Sequence, residues 1–300
     1  MTQGSHDEAV SEEMTASQRR AVRAAEAGKS KAGRDLPAAI GVGAGLLAAV
    51  AIGAFLWHPV FVAFCSIACA FGVWEVSRAV RKGTGLPLPL IPLVFGALAM
   101  PIAAFMAGGQ ALTGVFVGSV VLTVLWNVLD GRGDAGRSIA ASLFVLAWVP
   151  LLASFSLLLL REENGTWLLM TVLLLVVSND TFGYIFGAWL GKHPLAPKIS
   201  PKKSWEGFAG SVVGACVVGV ILAITVLDAS WWGGVVMAVA VVFASTAGDL
   251  SESMIKRELG IKDMSNLLPG HGGIMDRLDS MVFAVPVGYL VAVAALGLGS

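Results

Sequence analysis

Three acidic residues in the C-terminal part of the chain have the type and spacing expected of a divalent-cation site. Asp249 ends the apolar run 230–249, and Asp276 and Asp279 open the next run, 273–298. Because Asp276 and Asp279 are three residues apart, both point to one side of a helix. Mg²⁺ prefers oxygen ligands, usually one or two carboxylates together with phosphate oxygens. Stabilisation of an acidic first turn by the helix dipole would account for Asp276 alone. We therefore interpret Asp249, Asp276 and Asp279 together as predicted metal ligands.

Basic and hydroxyl side chains occur near these acids in the sequence, where they could bind phosphate. The segment KHPLAPKISPKKSWEG, 192–207, holds four lysines and precedes the apolar run 207–227. Ser204 is expected to cap the following helix, whose N-terminal amides would attract an anion. A basic loop that touches anionic lipid would have a similar composition. The candidate phosphate ligands are Lys202, Lys203, Lys256, Arg257 and Arg277.

A further acidic residue, Asp180, lies inside the apolar segment SNDTFGYIFG. In the predicted helix 166–190 it would be about 21 Å from the outer end, within a hydrocarbon core about 30 Å thick. An ionisable group at that depth is costly unless it faces a polar cavity or an ion. A hydrogen bond to a neighbouring helix is the simpler alternative, whereas adjacent Asn179 and the nearby glycines favour a cavity. The sequence leaves open whether Asp180 binds a metal or orients a basic residue.

The turn PGHGG, 269–273, precedes Asp276. Its glycines, Gly272 and Gly273, would let the backbone approach a ligand closely. His271 could donate a hydrogen bond to a phosphate, act as a general acid, or be only a turn residue. Its role is left open.

The composition indicates that these residues are positioned by membrane-spanning helices. The chain has 300 residues, of which 56% are hydrophobic and 13% charged, and a mean hydropathy of +0.80. Soluble domains contain about 25% charged residues. β-barrel alternation is absent, and helices satisfy their own backbone in lipid. We predict an all-α, polytopic integral membrane protein with about nine transmembrane helices. Their expected ranges are 37–56, 59–77, 87–107, 110–129, 138–160, 166–190, 207–227, 230–249 and 273–298.

The basic residues predict the orientation of these helices. If the N-terminus is cytoplasmic and the spans alternate, inner segments hold 19 of the 20 Lys and Arg residues, with Arg161 as the exception. This distribution matches the positive-inside rule. The C-terminus is then extracytoplasmic, and the predicted metal ligands meet at the cytoplasmic face. The formal net charge is zero, and no nucleic-acid partner is expected.

The chain divides into three regions by composition. Residues 1–36 mix acidic and basic side chains with few large apolar ones, which predicts a disordered cytoplasmic tail. Residues 37–165 are expected to form transmembrane helices that provide scaffold, dimer contacts or lipid access. Residues 166–300 form the predicted catalytic transmembrane region, which includes the segment 253–279.

The segment 253–279 resembles the signature of the phosphatidate cytidylyltransferase (CDP-diacylglycerol synthase) family. That signature has Ser, any residue, a hydrophobic residue and Lys-Arg, then four residues before Lys-Asp, and closes with a Pro-x-His-Gly-Gly turn and an Asp-Arg-hydrophobic-Asp group. The chain matches it throughout. ISPKKSWEG and SNDTFGYIFG resemble two further blocks of the family. Gly183, in the second of these, stands where the family often has Ala.

The resemblance implies an enzyme of a bacterial-type cytoplasmic (inner) membrane, with its active site facing the cytoplasm. Such an enzyme transfers CMP from CTP to phosphatidic acid and releases CDP-diacylglycerol and pyrophosphate. It implies dependence on Mg²⁺ held by Asp249, Asp276 and Asp279, a second cation of unknown identity, and a homodimer. The other implied catalytic residues are Lys256, Arg257 and His271. The implied substrate-binding residues are Asn179, Asp180, Ser200, Lys202, Lys203, Ser204, Ser253, Lys262, Gly272, Gly273 and Arg277.

Two other functions compete with this interpretation. A different CTP-using membrane enzyme, such as a polyprenol kinase, would differ mainly in its lipid substrate. A cation-coupled transporter would suit Asp180 and the glycine-rich helix around it. A transporter predicts carboxylates near the bilayer centre and inverted repeats, whereas most carboxylates here lie at one interface and the sequence shows no repeat.

Overall fold

The computed structural model describes residues 45, 48–131, 134–265, 267 and 272–297. The predicted tail 1–36, half of the first predicted helix 37–56, and His271 lie outside the described residues. Within the described part of the chain, six helices are long and apolar enough to cross a membrane. The protein is therefore mostly helical with little sheet, and the number of nine transmembrane helices stays a prediction.

The helices follow one another with short connections. In chain order they are α1 (His58–Thr84), α2 (Leu90–Asp130), α3 (Ala135–Leu146), α4 (Leu152–Arg161), α5 (Gly165–Leu190), α6 (Trp205–Thr225), α7 (Trp231–Glu258) and α8 (Met275–Tyr289). Residues 48–55 are also helical. A π-helical turn, Ala147–Leu151, joins α3 to α4 at Pro150, which lacks an N–H group for a regular helical bond. A second π-helical turn, Leu290–Ala295, extends α8.

Helix α2 is 41 residues long but consists of two segments that fold back on each other. Gly108 breaks the helix with φ 77° and ψ −163°, a conformation that favours glycine. A Cβ atom at Gly96 would lie 2.8 Å from the Oγ atom of Ser119, so the segments before and after the break are in contact. These two segments correspond to the separate predicted helices 87–107 and 110–129.

Two helices extend beyond the ends predicted for them. The predicted end of α7 at residue 249 is wrong, because the helix continues to Glu258. Glu252 and Lys256 form an ion pair four residues apart on this extension, which stabilises a helix where the apolar pattern has stopped. Helix α1 likewise passes residue 77 and ends at Gly85, whose φ of 75° terminates the helix.

A small β-hairpin lies where the sequence predicted a loop between α5 and α6, which corrects the all-α expectation in this one segment. Strands β1 (Pro194–Ala196) and β2 (Ser200–Ser204) pair in antiparallel orientation. They are too short to show the alternation by which strands are predicted. Glu206 fixes the hairpin to α6, because its carboxylate accepts hydrogen bonds from the backbone N–H groups of Lys192 and His193.

Glycines bring α5, α6, α7 and α8 into close contact. A Cβ atom at Gly219 of α6 would lie 2.5 Å from the carbonyl oxygen of Gly234 of α7, and one at Gly183 of α5 would lie 2.6 Å from Ser211 Oγ of α6. A Cβ atom at Gly248 of α7 would collide with the carbonyl oxygen of Asp279 of α8. Small residues allow this approach between transmembrane helices. The C-terminal ends of α5 and α7 therefore lie beside the N-terminal ends of α6 and α8.

Candidate active site

A cavity of about 310 Å³ opens where these helix ends meet. We call it the polar cavity. Its volume is at the lower end of the range of about 300–1,000 Å³ for ligand sites. Its walls come from α5, the hairpin, α6 and α7. Seven of the predicted site residues line it: Asn179, Asp180, Ser200, Lys202, Lys203, Ser204 and Asp249.

Asn179 connects α5, α6 and α7 at the polar cavity. Its buried side-chain Nδ2 donates to Ser245 Oγ of α7 (3.2 Å) and to Asp180 Oδ1 (3.1 Å). Its backbone carbonyl accepts a hydrogen bond from Ser211 Oγ of α6 (2.6 Å). The carboxylate of Asp180 is thereby held in the cavity wall, where it faces polar groups.

The hairpin delivers Ser204 and Lys203 to the cavity. Ser204 caps α6, as predicted, because its Oγ accepts a hydrogen bond from the Gly207 N–H group (3.1 Å). Lys203 forms an ion pair with Asp249. Burial lowers the pKa of the Lys203 ammonium group, and attraction to Asp180 and Asp279 opposes part of that shift. One ammonium group thus lies among carboxylates from α5, α7 and α8.

Glu252 of α7 is a completely buried carboxylate that the sequence analysis did not identify. Its Oε2 accepts a hydrogen bond from Lys256 Nζ (3.2 Å), while its Oε1 has no hydrogen-bond partner among the described residues. The carboxyl group of Asp279 is near enough to Glu252 for the two negative charges to repel each other. Two carboxyl groups this close need a proton or a cation between them. The four-residue spacing from Lys256 was the available signal, but it lay beyond the predicted helix end.

Asp276 is occupied by protein donors on both of its oxygens. Oδ1 accepts from Lys256 Nζ (2.9 Å), and Oδ2 accepts from the backbone N–H groups of Met264 (3.0 Å) and Gly273 (2.8 Å). Asp276 therefore links α7, the loop before α8 and the first turn of α8. A Cβ atom at Gly273 would lie 2.8 Å from an oxygen of Glu75, so a larger residue there would displace the Glu75 carboxylate.

Glu75 of α1 is a second buried carboxylate near the site that the sequence analysis missed. It is completely buried. Its carboxylate accepts hydrogen bonds from Ser265 Oγ (2.5 Å) and from the backbone N–H groups of Ile274 (3.0 Å) and Met275 (2.8 Å). It thus satisfies amides at the start of α8, which otherwise lack partners. An acidic residue inside the predicted helix 59–77 was the signal that could have identified it.

The remaining predicted site residues are not gathered in the polar cavity. Lys262 lines a different cavity, of about 680 Å³, together with Arg78 and Lys82 of α1. Ser253 and Arg257 lie further along α7, and Arg257 Nε donates to the carbonyl of Ile199 in the hairpin (3.5 Å). The other two lie around the first turn of α8: Gly272, with φ of 80°, precedes the helix, and Arg277 borders an apolar cavity.

The three predicted metal ligands do not form a ready-made site in the described part of the chain. No group of three or more His, Cys, Asp or Glu side chains there is arranged to hold a metal. Asp249 is paired with Lys203, and Asp276 is occupied as described above. The carboxylates of Asp279 and Glu252, whose negative charges repel each other, have the chemistry that suits a hard cation. The magnesium site itself stays a prediction.

Together, the fold and the cavity define a class of protein. It is a helical membrane protein in which carboxylate and ammonium groups from separate helices surround one polar cavity at one end of the bundle. Comparison with known proteins makes the assignment more specific. The chain belongs to the cytidylyltransferase family, whose family model matches residues 37–295. The resemblance seen in the sequence is confirmed.

Three relatives illustrate the similarity. The chain is 38% identical over 276 residues to the phosphatidate cytidylyltransferase of Mycobacterium bovis, which covers 87% of this chain and 90% of the relative. It is 37% identical over 284 residues to the enzyme of that name from Mycobacterium leprae, covering 88% and 89%. The enzyme of that name from Haemophilus influenzae is 33% identical over 291 residues, covering 80% and 93%.

Proposed function

We propose that this chain transfers CMP from CTP to phosphatidic acid and releases CDP-diacylglycerol and pyrophosphate. The observation that supports this most strongly is the 38% identity, over 87% of the chain, to an enzyme named for that reaction. The aligned length is too great to be confined to the signature segment. The polar cavity agrees with the proposal, because it places Lys202 and Lys203 beside carboxylates at the N-terminal end of α6.

In the reaction, an oxygen of the lipid phosphate attacks the α-phosphorus of CTP. The new P–O bond forms as the bond between the α- and β-phosphates breaks, and its electrons leave with pyrophosphate. The nucleophile is already an anion, so no general base is needed. Positioning of the two phosphates and neutralisation of their charge are the main requirements.

The hairpin and α6 provide the binding site for the CTP phosphates. Lys202 and Lys203 supply positive charge, and the backbone N–H groups of the first turn of α6 supply hydrogen-bond donors. A CTP phosphate that binds Lys203 replaces Asp249 as its partner. The carboxylate of Asp249 is then available on the same side of the cavity.

We assign the metal to Asp249 and Asp279, with Glu252 beside them, and give Asp276 the positioning role that its contacts support. Bound Mg²⁺ would neutralise charge on the reacting phosphates and on the leaving pyrophosphate. Lys256 helps to place the acids, because it contacts both Glu252 and Asp276.

The proposed location is the cytoplasmic face of a bacterial inner membrane. The residues around the polar cavity lie at the end of the bundle where the positive-inside rule puts the basic segments. CTP reaches this face from the cytoplasm, while phosphatidic acid keeps its acyl chains in the bilayer. The homodimer is proposed on the family resemblance alone.

The direct test is incubation of the purified protein with labelled CTP, phosphatidic acid and Mg²⁺. We expect a CDP-lipid and pyrophosphate in equal amounts. Formation of CDP together with a newly phosphorylated lipid would instead identify a CTP-dependent lipid kinase. Absence of any product from CTP with a range of lipid phosphates would contradict the proposed reaction.

A further inference from the structure

An apolar cavity of about 300 Å³ lies between α1, α4, α5 and α8, away from the polar cavity. Its lining consists of apolar side chains, two cysteines and Ser156, with Arg277 as the one charged residue among the described lining residues. The hydroxyl group of Ser156 is already bonded to the carbonyl of Ala153 (2.6 Å). The cavity therefore offers hydrocarbon contacts along most of its wall and a cation at one position.

The cavity is elongated parallel to the helices. On α5 its lining extends from Leu169 to Val177, and on α8 from Arg277 to Val285. Each interval of eight residues corresponds to about 12 Å of helix. Arg277 lies in the first turn of α8, so the charged residue is at the end of the cavity nearest Asp279.

We propose that this cavity, here called the acyl cavity, binds an acyl chain of the phosphatidic acid substrate, with the lipid phosphate held at Arg277. This inference rests on the proposed function and specifies where its lipid substrate lies. A phosphate followed by hydrocarbon matches a guanidinium group followed by about 12 Å of apolar wall. Because Arg277 is two residues, or about 3 Å of helix axis, from Asp279, the bound phosphate lies at the same depth as the proposed metal ligand, although the two side chains leave α8 on different faces.

A resident structural lipid is the alternative occupant. It would make the same hydrocarbon contacts, but its binding would not depend on the length of the substrate chain. The α1 and α4 walls of the acyl cavity belong to the N-terminal region 37–165, for which lipid access was one of the expected roles. If the substrate chain occupies the cavity, filling those walls should raise the KM for a long-chain phosphatidate and leave that for a short-chain one unchanged. If a structural lipid occupies it, both KM values should respond alike.

The experiment fills the acyl cavity from two of its walls. Ala68 of α1 and Ala153 of α4 both line it, and the substitutions Ala68→Phe and Ala153→Phe place a ring inside. Ala68 is seven residues, or about 10 Å of helix, from Glu75, which contacts the start of α8. A dioleoyl phosphatidate reaches Ala68, whereas a dihexanoyl phosphatidate is too short. Ala63→Phe is the matched control, because Ala63 is exposed on the same helix and lies outside the cavity lining.

We expect both cavity variants to raise the KM for dioleoyl phosphatidate about tenfold, the effect of losing the burial of roughly two methylene groups. The KM for dihexanoyl phosphatidate and for CTP should stay within about twofold, and the control should behave as the wild type. An unchanged KM for the dioleoyl lipid, or an equal rise for both lipids, would overturn the acyl cavity. If Ala68→Phe does not fold, Ala153→Phe decides the question. Wild-type protein that converts neither lipid would contradict the proposed function instead.

Discussion

The ammonium group of Lys203 interacts with carboxylates from three helices. It pairs with Asp249 and is attracted to Asp180 and Asp279, which belong to α7, α5 and α8 respectively. A lysine surrounded by acids is well held in the absence of substrate. A phosphate that binds Lys203 would replace one of these carboxylate partners, and we propose that the CTP phosphate binds in this way.

Lys203→Met removes this charge while keeping much of the side-chain volume. We expect kcat/KM for CTP to fall by about 10²–10³, the usual effect of losing one group that stabilises developing charge. The measurement is steady-state kinetics with CTP as the varied substrate. The matched control is Lys198→Met, in the exposed turn of the same hairpin and outside the polar cavity, which should change kcat/KM less than about twofold. Equal effects of the two substitutions would contradict the role of Lys203.

Glu75→Gln tests the buried contact between α1 and the start of α8. The glutamine keeps one acceptor but turns an N–H₂ group towards backbone N–H donors, so at least one buried donor loses its partner. We expect a loss of about 3 kcal/mol in the free energy of unfolding, together with lower turnover. Unfolding in detergent measures the first effect. Glu163→Gln, on an exposed residue, is the control and should stay within about 0.5 kcal/mol. A Glu75→Gln protein as stable and active as the wild type would show that the contact is dispensable.

At the scale of elements, the site depends on how closely α5 and α6 approach. A Cβ atom at Gly207 would lie 2.9 Å from the carbonyl oxygen of Gly183 and 3.1 Å from the Cα atom of Gly187. Both are backbone atoms, so neither can move without moving α5. Gly207 follows the Ser204 cap and Lys203, and any separation of the helices therefore shifts the residues that we propose to bind phosphate.

Gly207→Ala should destabilise the protein by about 1–3 kcal/mol, as overpacking does, and should raise the KM for CTP. Thermal unfolding in detergent and CTP kinetics measure the two effects. Gly118→Ala is the control, because a Cβ atom there meets nothing within 4 Å. Alanine is favoured over glycine in a helix by about 0.5–1 kcal/mol, so this variant should be at least as stable as the wild type. A Gly207→Ala protein that behaves like the control would contradict the close-packing account.

The sequence predicts the helices better than it predicts the contacts between them. Apolar length locates α5 and α6 to within a few residues, and the serine before α6 identifies its cap. The rule that a helix stops at the first charge fails for α7, because the Glu252–Lys256 pair stabilises its last turns. Glu75 was missed because its partners are about 200 positions away along the chain. Such a contact depends on helix packing, which no local pattern encodes.

At the scale of the whole molecule, the buried ion pairs and the polar cavity lie at one end of the bundle, while exposed tryptophans occur at both ends. Glu75 lies at the same end as the polar cavity. At the other end, Arg161 Nη1 donates to the carbonyl of Phe105 (2.5 Å), and Trp57, Trp167 and Trp231 are exposed. This distribution is typical of a protein that spans a bilayer with its site at one face.

The proposed orientation can be measured by labelling single added cysteines with a membrane-impermeant maleimide. Lys198→Cys, in the hairpin turn, should react only after cells are permeabilised, because the positive-inside rule puts this end in the cytoplasm. Glu163→Cys, between α4 and α5, should react in intact cells. The native cysteines are buried or partly buried, and unmodified protein provides the background. Labelling in the reverse pattern would invert the proposed topology.

The most direct test of the account is the Mg²⁺ dependence of CDP-lipid formation by Asp279→Asn. If Asp249 of α7 and Asp279 of α8 hold the cation that brings the two phosphates together, this isosteric change should reduce turnover at least about 10²-fold, with the protein still folded in detergent. Asp228→Asn, an exposed residue between α6 and α7, is the control and should titrate with Mg²⁺ as the wild type does. Near-normal turnover of Asp279→Asn with an unchanged Mg²⁺ dependence would contradict the central claim.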